Sequence, residues 1–579
     1  MSSIPLRLSP RSTFGLGWLL IAAIFLSFVG CSQENPAPEP RIALDSGPVN
    51  APGTTAAPLL FREEILPFSY ERGESGAAWP CEVTGGGVAM LDVDGDGDLD
   101  LFFAQGVPLP VGKMDPAQAP ADVLLLNDGK GHFTDVSKVW GLSSKGYGQG
   151  LAVADYDADG DPDVYVTRYG ANTMWRNDGG RFSDVTAEAG VGCPLWSLGA
   201  AFLDYDGDGD LDLLVANYFE FDPTQAPFLR LADGKAEYGP PDTFGGLPDV
   251  LYRNDGNGRF SDVTAEAGIS DQARGMGVLA ADFDGDHRMD ILVANDAEAN
   301  ALWRNLGNGK FEEIASAVGI DLNGQGKSEA NMGIAHGDTD GDGLQDVIIS
   351  HFFGEHDTLW RARGGTNSGL FYQDETFQAG LGGDSRPFTG WGIALEDFDS
   401  DGWLDFVVTN GQIRQELSQK YPYENPPIFW LGQADRKFRN VTSSAGAYFE
   451  ALHMGRGLAA GDLDGDGDLD LVITHHKAPS VVLWNESAPV GRWLKLDLRG
   501  RAPNRDAIGA EVTVEASGRR LVRSVDGGGS YLSVNDRRLH FGLGKIEQVD
   551  RVTVRWPSGR EESKTDVPLN RAIRWDELE

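Results

Sequence analysis

The sequence predicts an all-β protein, a seven-bladed β-propeller followed by a small C-terminal β-sandwich-like domain. Three observations carry this. A 17-residue pattern centred on alternating aspartates recurs seven times. Around each copy the apolar residues mark out four short strands, and such units in series are the pattern of propeller blades. Finally, a strand-like segment at 59–66 (LLFREEIL) stands ahead of the first copy, while the last copy lacks its fourth strand. Pairing the two closes the ring and removes two open sheet edges.

Each copy reads as an inner strand, an aspartate loop and a second strand. The copies are GVAMLDVDGDGDLDLFF (87–103), GLAVADYDADGDPDVYV (150–166), GAAFLDYDGDGDLDLLV (199–215) and GVLAADFDGDHRMDILV (277–293), then GIAHGDTDGDGLQDVII (333–349), GIALEDFDSDGWLDFVV (392–408) and GLAAGDLDGDGDLDLVI (457–473). Their first aspartates are 49 to 78 residues apart, so each unit holds several strands and loops of variable length. Glycine stands five residues before the first aspartate in every copy: Gly87, Gly150, Gly199, Gly277, Gly333, Gly392 and Gly457. A residue without Cβ suits an inner strand where seven sheets crowd an axis. The third strand carries aromatic-Arg-Asn, as in Trp175-Arg176-Asn177, Tyr252-Arg253-Asn254 and Trp303-Arg304-Asn305. The fourth opens on Phe, as in 181–185 and 259–263 (both RFSDV).

The loop consensus, D-x-D-x-D-G-x-x-D, puts carboxylates at positions 1, 3, 5 and 9. In chain order they are Asp92, Asp94, Asp96 and Asp100; Asp155, Asp157, Asp159 and Asp163; Asp204, Asp206, Asp208 and Asp212; and Asp282, Asp284, Asp286 and Asp290. The last three sets are Asp338, Asp340, Asp342 and Asp346; Asp397, Asp399, Asp401 and Asp405; and Asp462, Asp464, Asp466 and Asp470. Alternate carboxylates on a tight turn, with the position-7 carbonyl, can wrap one hard cation, and glycine at position 6 permits the turn. All-oxygen ligation selects Ca²⁺ over zinc or copper, so about seven structural Ca²⁺ ions are expected. Strands flank the loops and no Glu follows at position 12, which argues against an EF-hand. Turns held by their own side-chain-to-backbone bonds are the alternative, but four or five carboxylates on one turn repel without a cation. The fourth copy has His287 where glycine is expected, and positive φ there costs about 1 kcal/mol, which weakens that site.

In such a blade the aspartate loop lies on one face of the ring, and the second-to-third and blade-to-blade connections lie on the other. Five residues after each last loop aspartate comes a polar residue at that opposite face: Gln105, Arg168, Asn217, Asn295, His351, Asn410 and His475. The longest insertions follow, at 105–121, 218–248 and 411–427, the last two bringing Tyr218, Phe219, Phe221, Tyr238, Phe244, Tyr421 and Tyr423. A polar ring bordered by loop aromatics can bind a glycan or a protein partner; polar caps on strand ends are the alternative. Isolated histidines (His351, His356, His475, His476) keep a second function in view, a lyase or hydrolase acting on polysaccharide. No nucleophile motif, nucleotide loop or His-rich metal site accompanies them, so no catalytic residue is named.

The 88 acidic and 48 basic residues give a formal charge of −40, which repels nucleic acid and anionic lipid and argues against both as partners. The N-terminus reads as an export signal. Arg7 and Arg11 precede an apolar run, 14–29, and Phe28-Val29-Gly30-Cys31 resembles a bacterial lipobox with Phe28 where Leu is usual. The reading is a lipoprotein-type signal at 1–30, lipidation at Cys31 and a Pro/Ala-rich tether at 31–57. An uncleaved anchor and a plain secretory signal are the alternatives. The expected location is the cell envelope or outer membrane, otherwise secreted, with membrane contact through the lipid alone. The two other cysteines, Cys81 and Cys193, fall at equivalent places in blades one and three, which are not neighbours, so free thiols are expected.

The propeller is expected over 58–489 and the C-terminal domain over 490–579, where 492–500, 510–516, 519–525, 537–544 and 550–560 alternate as half-buried strands do. That domain carries much of the basic charge and is of a size to stand alone. Its segments 504–510 (NRDAIGA), 527–533 (GGGSYLS), 539–544 (LHFGLG) and 554–559 (VRWPSG) resemble the ASPIC/UnbV domain. The aspartate repeats resemble FG-GAP (VCBS-type) repeats, as in integrin α-chain propellers, and the combination is similar to the cartilage acidic protein family and its bacterial relatives. The resemblance implies calcium on loop positions 1, 3, 5 and 9, an extracellular location, and adhesion or matrix contact. It implies no reaction.

Overall fold

The computed structural model describes residues 59–579 apart from 116, 224–228, 232–233, 271, 365–368, 414–422 and 488–490. The signal segment, Cys31, the tether and Tyr421 lie outside the described residues. Among the described residues no helix is long and apolar enough to cross a membrane.

Seven antiparallel sheets built on four strands each follow one another along the chain, the fourth extended by Glu329–Ala330 and Gly527–Gly528. Their innermost strands are Val88–Leu91, Tyr147–Ala154, Ser197–Leu203, Gly275–Ala281, Ile334–Gly337, Gly390–Glu396 and Gly455–Gly461. Each packs against the next, and the last packs against the first, so the ring is closed. Phe61–Ser69 supplies the missing fourth strand of the seventh sheet, pairing antiparallel with Pro479–Asn485 in the register Phe61 opposite Asn485. Apolar side chains fill the gaps between blades. Phe102, Leu124, Val164, Trp175 and Phe182, for example, form one buried layer between the first and second.

The recurring inner-strand glycines sit where neighbouring backbones nearly touch. A Cβ on Gly199 would lie 2.4 Å from the Met276 carbonyl oxygen of the next blade, and one on Gly457 would lie 2.3 Å from that of Gly86. No side chain fits at such distances, which is why the glycine recurs.

The C-terminal residues form two further sheets. In one, Arg492–Arg499 lies between Leu539–Gly544 and the parallel strand Ala572–Asp576. In the other the order is Arg519–Ser524, Glu511–Ala516, Arg551–Arg555, Glu561–Lys564. Leu494, Val512, Phe541, Val552 and Trp556 are buried between them.

These sheets are not free-standing, which corrects the expectation from their size; ring and sheets form one compact unit. Arginines and a histidine of the basic C-terminal part bond the aspartate-loop face. Arg538 Nη1 donates to Gly97 O (3.1 Å), Arg519 Nη2 to Gly402 O (2.6 Å), and His540 Nε2 lies 3.1 Å from Gly467 O. The segment 527–536 enters the axis of the ring itself. Gly527–Gly528 pairs with Leu279 and Ala280, and Ser530 N–H donates to Ile334 O (2.6 Å). Ser530 Oγ donates to Leu458 O (2.7 Å). Leu532 O accepts from Leu151 N–H (3.1 Å), Val534 pairs with Val88 and Met90, and Asp536 N–H donates to Ala460 O (2.9 Å). Gly527 lies against Phe202 of the third blade. An innermost strand is a sheet edge with unpaired N–H and C=O groups, and this segment supplies their partners.

Candidate metal loops and an opposite-face cleft

Each aspartate loop is shaped by its own carboxylates. The position-1 side chain accepts N–H bonds from positions 4 to 6; Asp204 takes Gly207 at 2.8 Å and Gly209 at 3.0 Å. Positions 4 and 6 adopt positive φ, +80° and +93° at those glycines, and +59° at Ala158, +57° at Ser400 and +70° at His287, the expected strained residue. The position-5 carboxylates (Asp96, Asp159, Asp208, Asp286, Asp342, Asp401, Asp466) each accept the N–H of position 7.

Position 9 ties the loop to the sheet. Asp212 accepts Tyr205 N–H at 3.0 Å and the third-strand Asn254 N–H at 2.8 Å; Asp100, Asp163, Asp290, Asp346, Asp405 and Asp470 do the same in their blades. The Asn of the third-strand motif has a role that its recurrence alone did not disclose. Its side chain reaches back to the preceding loop: Asn177 Nδ2 donates to Val93 O (2.8 Å), Asn254 to Tyr156 O (2.9 Å), Asn305 to Tyr205 O (2.8 Å) and Asn127 to Leu463 O (2.7 Å). It stitches neighbouring blades together.

The remaining oxygens converge. Ligand atoms of Asp92, Asp94 and Asp96 lie within 4.8 Å of one another, as do those of Asp155, Asp157 and Asp163, of Asp204, Asp206 and Asp212, of Asp282, Asp284 and Asp290, and of Asp338, Asp340 and Asp342. Asp92 Oδ1 and Asp157 Oδ1 are buried without a partner. Burial, with nearby carboxylates adding to it, pushes Asp100 up to about 8, Asp155 to about 7, Asp204 to about 6 and Asp401 to about 6. Hard oxygen donors that converge and resist ionising together are a set that a divalent cation completes, so the residues of the first four loops fit Ca²⁺. The fourth, fifth and seventh loops have basic side chains beside them: His287 Nδ1 lies 3.4 Å from Asp282 Oδ2, Arg288 contacts Asp286, Arg363 contacts Asp340 and Asp342, and Lys495 contacts Asp462.

The proposed ring of seven polar residues on the opposite face is corrected. Gln105, Arg168, Asn217, Asn295, His351, Asn410 and His475 are all buried. Most spend their polar atoms on the connection above them. Arg168 pairs with buried Asp122, Asn217 Nδ2 donates to Pro248 O (2.7 Å), Asn410 Nδ2 to Pro426 O (2.8 Å) and Asn295 Nδ2 to Ala299 O (2.9 Å). Gln105 Nε2 donates to Ser69 O (3.2 Å), and His475 bonds Pro479 O and the Tyr448 hydroxyl, both at 2.7 Å. His351 is enclosed near Glu329. The chain crosses directly over each strand end, so a polar residue there meets backbone before it meets solvent. Cys81 and Cys193 are free and buried.

The insertions do build a feature on that face. Tyr218 and Phe219 pack inward against Trp196, whereas Tyr238 and Tyr423 line an open cleft of about 330 Å³ together with Arg72, Glu74, Glu82, Glu237 and Lys477. Tyr238 OH donates to Glu82 Oε2 (3.0 Å) and accepts from Arg72 Nη2 (3.1 Å). Lys477 Nζ stands 5.3 Å above the Tyr423 ring and 3.4 Å from Glu74. Arg72, Glu82 and Lys477 were missed in the sequence because they lie in connections without a motif, 70–87 ahead of the first blade and 476–478 within the seventh.

Residues 500–579 match the ASPIC and UnbV family model, and residues 92–166, 155–215, 245–293 and 288–349 match the FG-GAP-like repeat model. Cartilage acidic protein 1 of Xenopus tropicalis is 28% identical over 307 residues, covering 52% of this chain and 44% of the relative. The Homo sapiens protein is 28% identical over 310 residues, covering 52% and 43%. The chain thus spans less than half the length of the curated relatives it matches. Among solved structures, an Agrocybe aegerita lectin described as recognising non-reducing terminal N-acetylglucosamine aligns with a TM-score of 0.35 at 17% identity, covering 62% of this chain and 80% of that one. YCF48 bound to D1 peptide aligns with a TM-score of 0.36 at 9% identity, covering 76% and 100%. By its aspartate loops, its C-terminal motifs and the two family models, the chain carries FG-GAP-like repeats followed by an ASPIC/UnbV domain.

Proposed function

We propose that this chain is an exported binding module in which Ca²⁺ on the aspartate loops braces the ring and the opposite-face cleft receives a glycan or a protein segment. The observation that carries the reading is the cleft: blade connections and insertions far apart in sequence place Arg72, Tyr238, Tyr423 and Lys477 around one open space. Aromatic faces beside hydrogen-bonding and charged groups are suited to a polar ligand. Ca²⁺ supplies charge neutralisation to carboxylates that otherwise repel, and each ion is enclosed by its own loop, a structural rather than catalytic placement. Lipidation at Cys31 would hold the module at the envelope surface on the tether 31–57.

A glycan array combined with a pull-down from envelope extracts tests the reading. Tyr238→Ala with Lys477→Ala is expected to reduce capture at least tenfold while metal content and melting stay unchanged. Capture untouched by the pair moves the site elsewhere. Turnover of a bound polysaccharide would replace binding with catalysis.

A further inference from the structure

We infer that the fifth loop is built around a guanidinium rather than a metal ion, so that the ring takes six Ca²⁺ ions at most; this rests on the reading that its sister loops bind Ca²⁺. The evidence of the fold is a set of coupled departures in one blade. In the second and third blades the third-strand arginine is held by an acid two residues on: Arg176 Nε bonds Asp178 Oδ1 at 2.8 Å, and Arg253 Nη2 bonds Asp255 Oδ1 at 2.9 Å. In the fifth blade the residue at that place is Arg363. Its Nη1 donates to Asp340 Oδ2 at 3.1 Å and to Asp342 Oδ2 at 3.3 Å, joining loop positions 3 and 5.

Two more guanidinium groups face the same carboxylates. Arg361 Nε stands 3.9 Å from Asp340 Oδ2 and 3.8 Å from Asp346 Oδ2. Arg436 Nη1, from the sixth blade, stands 3.5 Å from Asp340 Oδ2. Glu375 holds the first two in place, accepting Arg363 Nη2 at 2.7 Å and Arg361 Nη1 at 3.1 Å. At the equivalent place Val136, Val185, Val263, Ile314 and Val441 make the same backbone bond to their third strands, and in the seventh blade an acid, Glu64, stands there in the fourth strand. The stitching Asn is replaced by Ala362, as it is by Gly432 in the sixth blade, and Thr339 stands at position 2, its hydroxyl on Asp346.

These substitutions act together. An acid becomes a base, and an apolar residue becomes the acid that orients it. A divalent ion among these carboxylates would lie within roughly 4 Å of like charge, where repulsion is strong. Lys495 at the seventh loop and Arg288 at the fourth each pair with a single loop carboxylate, on Asp462 and Asp286, and bridge no two.

Metal content per folded full-length chain, measured by mass spectrometry after equilibration at millimolar Ca²⁺, tests this by difference. Asp338→Asn with Asp342→Asn is expected to leave the count unchanged, whereas Asp204→Asn with Asp208→Asn lowers it by one. Loss of one ion from the fifth-loop pair, or seven ions in the unaltered chain, overturns the inference and leaves the calcium reading standing. No bound ion at all overturns both. If a double variant does not fold, Asp342→Asn against Asp208→Asn reads the same difference.

Discussion

Replacing Tyr531 with alanine is expected to destabilise the ring and the C-terminal sheets together. Its side chain is fully buried on the ring axis. The aromatic ring lies 5.0 Å from that of Trp391 at 63°, and the hydroxyl donates to Thr84 O at 2.8 Å. Truncating a buried aromatic costs about 3–5 kcal/mol in lost burial and cavity formation. The orphaned Thr84 carbonyl adds about 1 kcal/mol or more. A loss of about 4–6 kcal/mol is a large part of the roughly 5–15 kcal/mol that holds a domain folded. Tyr531→Phe keeps the ring and drops only the hydroxyl, for about 1–2 kcal/mol. Calorimetry in millimolar Ca²⁺, with hydrogen exchange resolved by peptide, separates the outcomes. Ring and C-terminal peptides are expected to lose protection in one coupled transition, lowered far more by the alanine than by the phenylalanine. A Tyr531→Ala chain that melts like the unaltered one, or C-terminal sheets that melt apart from an unmoved ring, refutes the axial segment as the link between them.

Excess EDTA is expected to lower the melting temperature markedly, with added Ca²⁺ restoring it; an unchanged melt speaks against metal-braced loops. Asn254→Ala removes bonds to Tyr156 O at 2.9 Å and Leu211 O at 3.3 Å, and should cost about 1–3 kcal/mol in denaturant unfolding. His475 is buried and neutral, pushed down to about 4 by burial, with its two ring nitrogens on Pro479 O and Tyr448 OH. Because its folded pKa lies below the unfolded value of about 6.5, its contribution is intact above pH 6.5 and lost as pH falls towards 4. At pH 5 the loss is about 2 kcal/mol, and His475→Gln should flatten that part of the acid-side decline in stability.

The blades were legible from sequence because their signals are local. Alternation marks strands, and an aspartate-glycine turn announces itself within nine residues. The lone segment before the first copy pairs with the seventh sheet as its composition implied. Residues whose role depends on what lies across the ring were not legible. Asn410 reads as a ligand-facing polar residue until Pro426 is seen to cross over it. Arg363 carried no reading from the sequence, although its place after the third-strand motif, usually acidic, was a signal available in the repeat itself.

Sequence alone marked out the seven repeating units of the ring and the aspartate loop in each, since those follow from residues close together along the chain. Only the tertiary structure decided that the glycine-rich segment 527–533 fills the axis, because the edge groups it satisfies belong to strands hundreds of residues away. It also decided what each gathered set of carboxylates faces. The fifth set meets arginines from its own blade and the next, a charge balance that exists only once the blades stand side by side.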